Sequence, residues 1–286
     1  WEVQSKHQRW KEPRRIKMIT IGLGNAGINI CRKLSNLGKY KTIELDEGKG
    51  LPKCKTHEEY ESKVPKLGNK LKLGKEQDIW FIVCGASKVS GATLRVLEQI
   101  KDREIKVMYI VPDPFFLSAT QKLQHNVTLG VLQEYARSGM VHSIWLFDNK
   151  IISSIVGEGA LGSYYDNANA AIANFLANYN WFKNTQPIIG NLHEPKNISR
   201  ICTVSIGELE KNQENLYFLL DNITESCYYY SISSYKKEND KHLLNNIRTY
   251  LETKDNTTFG IWENGSEHSF FYSIKFTHYI QGVTNE

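Results

Sequence analysis

The chain has no apolar run approaching the roughly 20 residues that a membrane-spanning helix needs. Its first ten residues, Trp1 to Trp10, lack the apolar stretch of a secretory signal. It does not begin with Met, and a trimmed start is expected. No CxxC pair and no Cys/His cluster occurs; five cysteines, at 31, 54, 84, 202 and 227, stand apart. Scattered thiols in odd number exclude a disulfide scaffold, give no metal site and suit a reducing, cytoplasmic setting. A strong charge of either sign is also missing. Lys and Arg number 36 against 31 Asp and Glu, a net +5, which is too little for a dedicated nucleic-acid binder. Nor do basic and aromatic residues interleave as a base-stacking surface requires. With 286 residues, 41% hydrophobic and 23% charged, extended disorder and collagen-like repeats are excluded and a substantial core is available.

Residues 1–15 form a basic arm, five Lys/Arg against two Glu, read as a solvated tail or as an arm that docks on a neighbouring subunit. Strand and helix then alternate. The spacing predicts a strand over Ile16–Ile21, a helix from Gly27 to Gly38, and a strand over Thr42–Leu45. Residues 46–77 are Lys/Glu/Gly-rich and read as loop. Strands follow at Asp78–Cys84, Val107–Val111 and Ser143–Phe147, with helices after the first two; the longer covers Ser118–Ser138 and stops at Gly139. Continuous apolar strands separated by helices predict an α/β domain with a parallel, doubly wound sheet over 16–163, which places ligands at the carboxyl ends of its strands. A central helix over Tyr164–Phe182 and its loop make 164–190. Residues 191–286 read as a smaller α+β domain, with strands near 202–206, 228–233, 259–262 and 270–276 and a helix near 240–251. The stretch Glu214–Phe218 looks like part of a protease tag site and is read as coincidence.

Three constellations carry chemistry. Gly22-Leu-Gly24-Asn25-Ala26-Gly27 joins a strand to a helix, where glycines let backbone approach a phosphate and the helix N-terminus offers free N–H groups. Glu44 or Asp46, about 20 residues on, would suit a ribose in a dinucleotide fold. Gly85-Ala86-Ser87-Lys88-Val89-Ser90-Gly91 is a second loop of this type, or an ordinary turn capped by Ser. Asp148-Asn149 ends a strand, and Tyr165 and Asn169 share a face at the start of the next helix. A ring there can stack on a purine while an amide, donor and acceptor together, reads its edge. Asn is common throughout that helix.

The order of these features resembles the tubulin/FtsZ superfamily, nearest to its divergent plasmid and phage members, across about Ile16–Gly190. The resemblance implies a fold of GTPase domain, central helix and second α+β domain, and a cytoskeletal protein that assembles head to tail into filaments. By that resemblance Gly22–Gly27 wraps the diphosphate of GTP or GDP, with Mg2+ as companion, and Asn29 lies toward the base. Gly85–Gly91 stands where the family has GGGTGTG. The loop from Pro112 to Lys122 touches the ribose, with Ser118 and Lys122 at the positions of the usual Glu and Arg. Asn149 and Asn169 hydrogen-bond guanine, and Tyr165 stacks on it. The loop after the central helix enters the next subunit's site to orient the attacking water.

Several positions depart from that pattern. Three inner glycines of the signature loop are replaced by Ala86, Ser87 and Val89, which restricts backbone approach to phosphate. Ser87, Ser90 and Thr93 offer hydroxyls instead, and Lys88 a charge. In the catalytic loop, Asn191-Leu-His-Glu-Pro-Lys196, the family's two acids fall on His193 and Lys196, and Glu194 is the one nearby carboxylate, one residue out of register. Weak or absent GTP hydrolysis is therefore expected. Residues 46–77 are short where the family senses the γ-phosphate. Two alternatives stay open: a nucleotide-free scaffold of the same fold, and an NAD(P)-dependent oxidoreductase, for which His142 and His193 are the suggestive histidines but have no evident acidic partner.

Overall fold

The computed structural model describes residues 18–71, 73, 78–157, 160, 163–209 and 213–282. The basic arm at 1–15, with Ile16 and Lys17, lies outside the described residues.

The first half alternates as the apolar spacing requires: β1 (Ile19–Leu23), α1 (Gly24–Leu37), β2 (Lys41–Leu45), β3 (Ile79–Cys84), α4 (Thr93–Glu98), β4 (Ile105–Val111), α5 (Ala119–Ser138) and β5 (Ser143–Asp148). Between β2 and β3 lie two short helices, α2 (His57–Ser62) and α3 (Gly68–Leu71). The loop expected over 46–77 is thus partly helical. Thr56 caps α2, accepting from the Glu59 N–H at 3.2 Å, and a Thr-x-x-Glu start is a readable helix signal. A further helix, α6 (Asn149–Val156), was not expected; Asp148 caps it, accepting from Ile151 N at 3.0 Å, and Gly157 at φ 85° ends it.

The second half contains α7 (Asp166–Asn184), β6 (Ile189–Gly190), β7 (Ile201–Glu208), β8 (Gln213–Leu216), β9 (Glu225–Ser233), α8 (Ser234–Asn239), α9 (Leu243–Glu252), β10 (Thr257–Asn264) and β11 (Phe270–Thr277). The expected helix near 240–251 is α9, with α8 separated from it by a turn at Asp240. The tag-like stretch at Glu214 is β8 and its continuation.

Among the described residues the strands form one sheet in the order β2-β1-β3-β4-β5-β7-β11-β9-β10-β6, with β8 on β7. β2 through β5 run parallel, and β5 meets β7 in parallel over only two register pairs, Ile144 to Ile201 and Trp145 to Cys202. Above that seam Tyr217 is inserted: Asp148 N donates to its carbonyl and its own N–H donates to Val204 O, both at 2.7 Å. β7, β9 and β10 point the same way, while β11 runs antiparallel to β7 and β9.

Along β3, Ile79, Phe81 and Val83 face a core completed by Tyr60 of α2, Val96 of α4 and Leu132 of α5. Trp80 and Ile82 face the other side, where α1 (Ile30, Leu34) and α7 (Ile172, Phe175, Leu176, Tyr179) pack. Burial on both faces explains why the strands are apolar without alternation. The α7 layer continues past the seam onto Tyr229, Trp262 and Tyr272, so one helix covers both halves of the sheet. A third cluster, Tyr228, Tyr230 and Phe271 beneath Ile247 and Leu251 of α9, closes the far end.

Candidate functional site

The carboxyl ends of β1, β3, β4 and β5 converge on a cleft of about 280 Å³, just below the roughly 300–1,000 Å³ of most ligand pockets. Leu23, Asn25, Ala26 and Asn29 line it from the β1–α1 junction. Cys84 and Ser87 follow β3, and Pro112, Asp113, Phe116 and Leu117 follow β4. Asn149 begins α6, and Tyr165 and Asn169 open α7. Eight of the residues expected at a nucleotide site therefore share one cavity: Asn25, Ala26, Asn29, Ser87, Pro112, Asn149, Tyr165 and Asn169.

The first glycine loop does two jobs. A Cβ at Gly22 would lie 2.5 Å from Gly27 O, and one at Gly27 would lie 2.4 Å from Ile82 O, so both are glycine because α1 packs backbone to backbone on the sheet. Gly24 turns the chain at φ 68°. Leu23, at the N-cap of α1, makes no side-chain cap, and no acid occupies the first turn. The leading N–H groups of this helix start are available to an anion.

The second loop is partly spent on itself. Ser87 Oγ accepts from Ser90 N at 3.1 Å, Ser90 Oγ donates to Ser87 O at 2.6 Å, and Thr93 Oγ1 donates to Ser90 O at 2.5 Å. Ser90 and Thr93 are buried, so two of the three hydroxyls expected to face phosphate are turned inward, while Ser87 is exposed and lines the cleft. Gly85 is pressed against the Tyr109 hydroxyl and His125, and Gly91 against the His57 carbonyl. Ala86 is held at φ 64°. Lys88 is exposed and does not line the cleft.

The base end is polar and buried. Asn149 is 6% exposed, and its Oδ1 has no partner, as is uncommon for a buried acceptor. Asn169 is 4% exposed. Asn29 Nδ2 donates to Asn25 Oδ1 at 3.3 Å. Tyr165, 36% exposed, packs edge-on against Tyr164 at 4.8 Å, and Tyr164 packs in turn on Phe116 at 6.2 Å, so an aromatic row rims the opening. Burial raises the Asp148 carboxyl and the Tyr165 phenol, and the charge of Asp113 adds to both.

The ribose loop differs from expectation. Ser118 caps α5, exchanging hydrogen bonds with Gln121 in a capping box, and neither Ser118 nor Lys122 lines the cleft. The carboxylate at this wall is Asp113, between Pro112 and Pro114, which the sequence reading passed over. A lone acid directly after a strand end was its available signal.

Glu194 lies beyond the far end of α7 from Tyr165. At 1.5 Å rise per residue, the 19 residues of α7 span roughly 28 Å. Its Oε1 pairs with Lys183 Nζ at 3.3 Å, and the Lys183 charge holds the carboxyl below its ordinary value. His142 does have an acidic partner, Glu104 at 2.9 Å, contrary to expectation. Both stand at the amino ends of β4 and β5, opposite the cleft. Glu44, the ribose candidate of a dinucleotide fold, is held by Arg32 at 2.7 and 2.9 Å and by Lys49 at 2.5 Å, which bring its carboxyl to about 2. That carboxylate is committed to cations already. Among the described residues no group of three or more His, Cys, Asp or Glu is placed to hold a metal ion, and no helix is long and apolar enough to cross a membrane.

No protein-family model and no curated protein matches the sequence. Solved structures do match. An empty FtsZ dimer from M. jannaschii superposes with a TM-score of 0.63 at 14% identity, over 92% of this chain and 88% of that one. CetZ from Methanosaeta thermophila gives 0.65 at 13%, over 93% and 87%. GDP-form protofilaments of Bacillus thuringiensis TubZ give 0.63 at 15%, over 92% and 84%. With a parallel sheet carrying its cleft at the carboxyl ends, and one helix running from that cleft beneath both halves, the chain has the tubulin/FtsZ fold.

Proposed function

We propose that this chain is a tubulin-like protein that binds guanine nucleotide in the carboxyl-end cleft and assembles head to tail, with weak or lost GTP hydrolysis. The observation that carries the reading is Asn149, buried at the cleft with an unpartnered Oδ1, beside Asn169 and Tyr165. Guanine presents N–H donors along one edge, and an orphaned amide acceptor next to a second amide fits that edge. A phosphate would sit at the uncapped start of α1, accompanied by Mg2+ when the nucleotide is GTP. Assembly is supported by the FtsZ dimer and the TubZ protofilaments among the structural neighbours. It is supported also by placement, since Glu194 sits beside Lys183 at the far end of α7 from its own cleft, a helix roughly 28 Å long, and would reach only the cleft of another subunit. There it would arrive paired to Lys183 and one residue out of register, hence the expectation of weak hydrolysis.

Release and identification of any co-purifying nucleotide, followed by calorimetric titration with GTP, GDP and NAD, tests the reading. Guanine nucleotide binding is expected, and Asn149→Ala should lower its affinity by about tenfold or more, the usual cost of losing a buried amide contact to a ligand. Unchanged affinity in that variant sinks the base-site assignment. Sedimentation with and without GTP tests assembly, and GTP turnover abolished by Glu194→Ala would overturn the weak-hydrolysis reading. A nucleotide-free scaffold is the second reading. It is favoured by the Ser87 and Val89 side chains, which stand within 3.6 and 3.8 Å of the Cβ that Gly24 lacks. Tight binding of no nucleotide would select it.

A further inference from the structure

We propose that the cleft is tuned to the nucleoside end of its ligand: it takes a guanine nucleoside or its mono- and diphosphate, and a γ-phosphate adds no affinity. This rests on the guanine reading above and adds to it which phosphate form the cleft accepts.

Charge is the first ground. Among the described residues that line the cleft there is no Lys or Arg, and the one carboxylate is Asp113. Each phosphate added to a ligand brings negative charge into a wall that already carries it, and like charges facing across a partly desolvated site repel. The polar groups that remain are the amides of Asn25, Asn29, Asn149 and Asn169 and the hydroxyls of Ser87 and Tyr165, all of them neutral.

Donor supply is the second. A triphosphate is normally held from two sides. Here one side is intact: the 14-residue helix α1 begins uncapped, with no acid in its first turn, and a helix start of this kind holds one phosphate group well. On the other side the 85–91 loop spends part of its donor supply on itself and leaves the Ser87 hydroxyl at the cleft. Ser90 N is taken by Ser87, Gly91 N donates to Lys88 O at 3.2 Å, and the Ser90 and Thr93 hydroxyls serve the loop's own carbonyls. Ser87 Oγ and Val89 Cβ stand 3.6 and 3.8 Å from where a Cβ on Gly24 would lie, beside the start of α1. The independent sign that a ligand belongs here is the unpartnered Oδ1 of Asn149, a residue more than nine-tenths buried.

Calorimetry on the full chain with guanosine, GMP, GDP and GTP, each with and without Mg2+, tests the proposal. Guanosine is expected to bind, and GDP and GTP to agree within about threefold, a small difference on the scale where 1.4 kcal/mol is tenfold, whether or not Mg2+ is present. GTP binding about tenfold tighter than GDP, or GTP binding where guanosine does not, overturns the proposal while leaving the guanine site standing. Failure of every guanine ligand to bind removes the underlying reading, and this proposal with it. A second variant reads the charge argument alone. Asp113→Asn should raise the ratio of GTP to guanosine affinity by about three- to tenfold through loss of repulsion. Equal weakening of all four ligands would mean that Asp113 holds the sugar, and would overturn the charge argument.

Discussion

Ala86 is the residue where this chain differs most instructively from a glycine loop. At φ 64° it occupies left-handed backbone that an L side chain enters at a cost of about 1–2 kcal/mol. The surroundings enforce it: Gly85 is wedged against Tyr109 and His125, and the Ala86 carbonyl accepts from Gln121 Nε2 at 3.2 Å. Ala86→Gly should relieve the strain, less the extra entropy glycine loses on folding, for a net gain of about 0.5–1 kcal/mol in urea unfolding. A loss of stability would show the turn to be unstrained. Gly27→Ala should act in the opposite sense. Its Cβ would meet Ile82 O at 2.4 Å, backbone against backbone, and neither side can yield without lifting α1. A cost of roughly 3 kcal/mol or more is expected from the same unfolding measurement. Both glycine loops could be read in the sequence, but what each glycine is for could not. Packing of helix on strand and approach to phosphate use the same residue, and only the position of Ile82 tells them apart. Asp113 escaped notice because its role depends on three other strand ends arriving beside it.

At the scale of elements, the alternating strands and helices of the first half were legible because each strand is apolar throughout and each long helix is bounded by a readable stop, Gly38 or Gly139. Helices α2 and α6 were missed although Thr56 and Asp148 announce their starts, since six- and eight-residue helices are too short for periodicity to register. Strand β8 alternates exposed and half-buried residues and is polar, and only its partner explains it. Glu214 on β8 reaches into the sheet, accepting from Ser205 Oγ at 2.9 Å, Ser273 Oγ at 2.7 Å and Lys275 Nζ at 3.0 Å, while Lys275 also donates to the Tyr228 hydroxyl at 2.6 Å. Burial works against both charges. It lowers the Lys275 ammonium, and it would raise Glu214, but the charge of Lys275 and the converging donors leave Glu214 below its ordinary value. With so many donors on one carboxylate, the ionised pair prevails. A depressed carboxyl contributes stability above its unfolded value of about 4.5, and that stability is lost as pH falls through the folded value. Lys275→Met removes the nearer ammonium, leaving Lys254 Nζ at 3.8 Å and the hydroxyl donors, and should cost about 1.5–3 kcal/mol at neutral pH. The deficit should shrink near pH 4 as Glu214 takes up a proton. Urea unfolding at both pH values checks this, and an equal deficit at each would contradict it.

The whole molecule is held across its seam more by α7 than by strand pairing. β5 and β7 share two register pairs before Tyr217 separates them, whereas Phe175 on α7 contacts Trp145 at 5.8 Å and Phe147 at 6.0 Å on one side and Tyr272 at 5.4 Å on the other. The sequence suggested a large unit and a small one divided by a spine helix. The sheet is continuous beneath that helix, and the halves are expected to unfold together. Calorimetry should give one transition with equal calorimetric and van't Hoff enthalpies. Phe175→Ala should lower stability by about 3–5 kcal/mol, with hydrogen exchange rising in β4 and β11 alike. Exchange confined to one half would mean that the seam, not the helix, carries the coupling.

The same aromatic layer has an optical consequence. Trp80 and Trp145 lie 5.0 Å apart with their planes inclined by 60°, and Tyr179 of α7 touches both, at 5.9 and 5.4 Å. Two indoles so close exchange excitation, so their near-ultraviolet circular dichroism depends steeply on the angle between them. Because Tyr165 at the cleft and Tyr179 at the indoles sit on or beside one rigid helix, an event at the cleft that turns the helix is written into a spectrum the unlabelled protein already possesses.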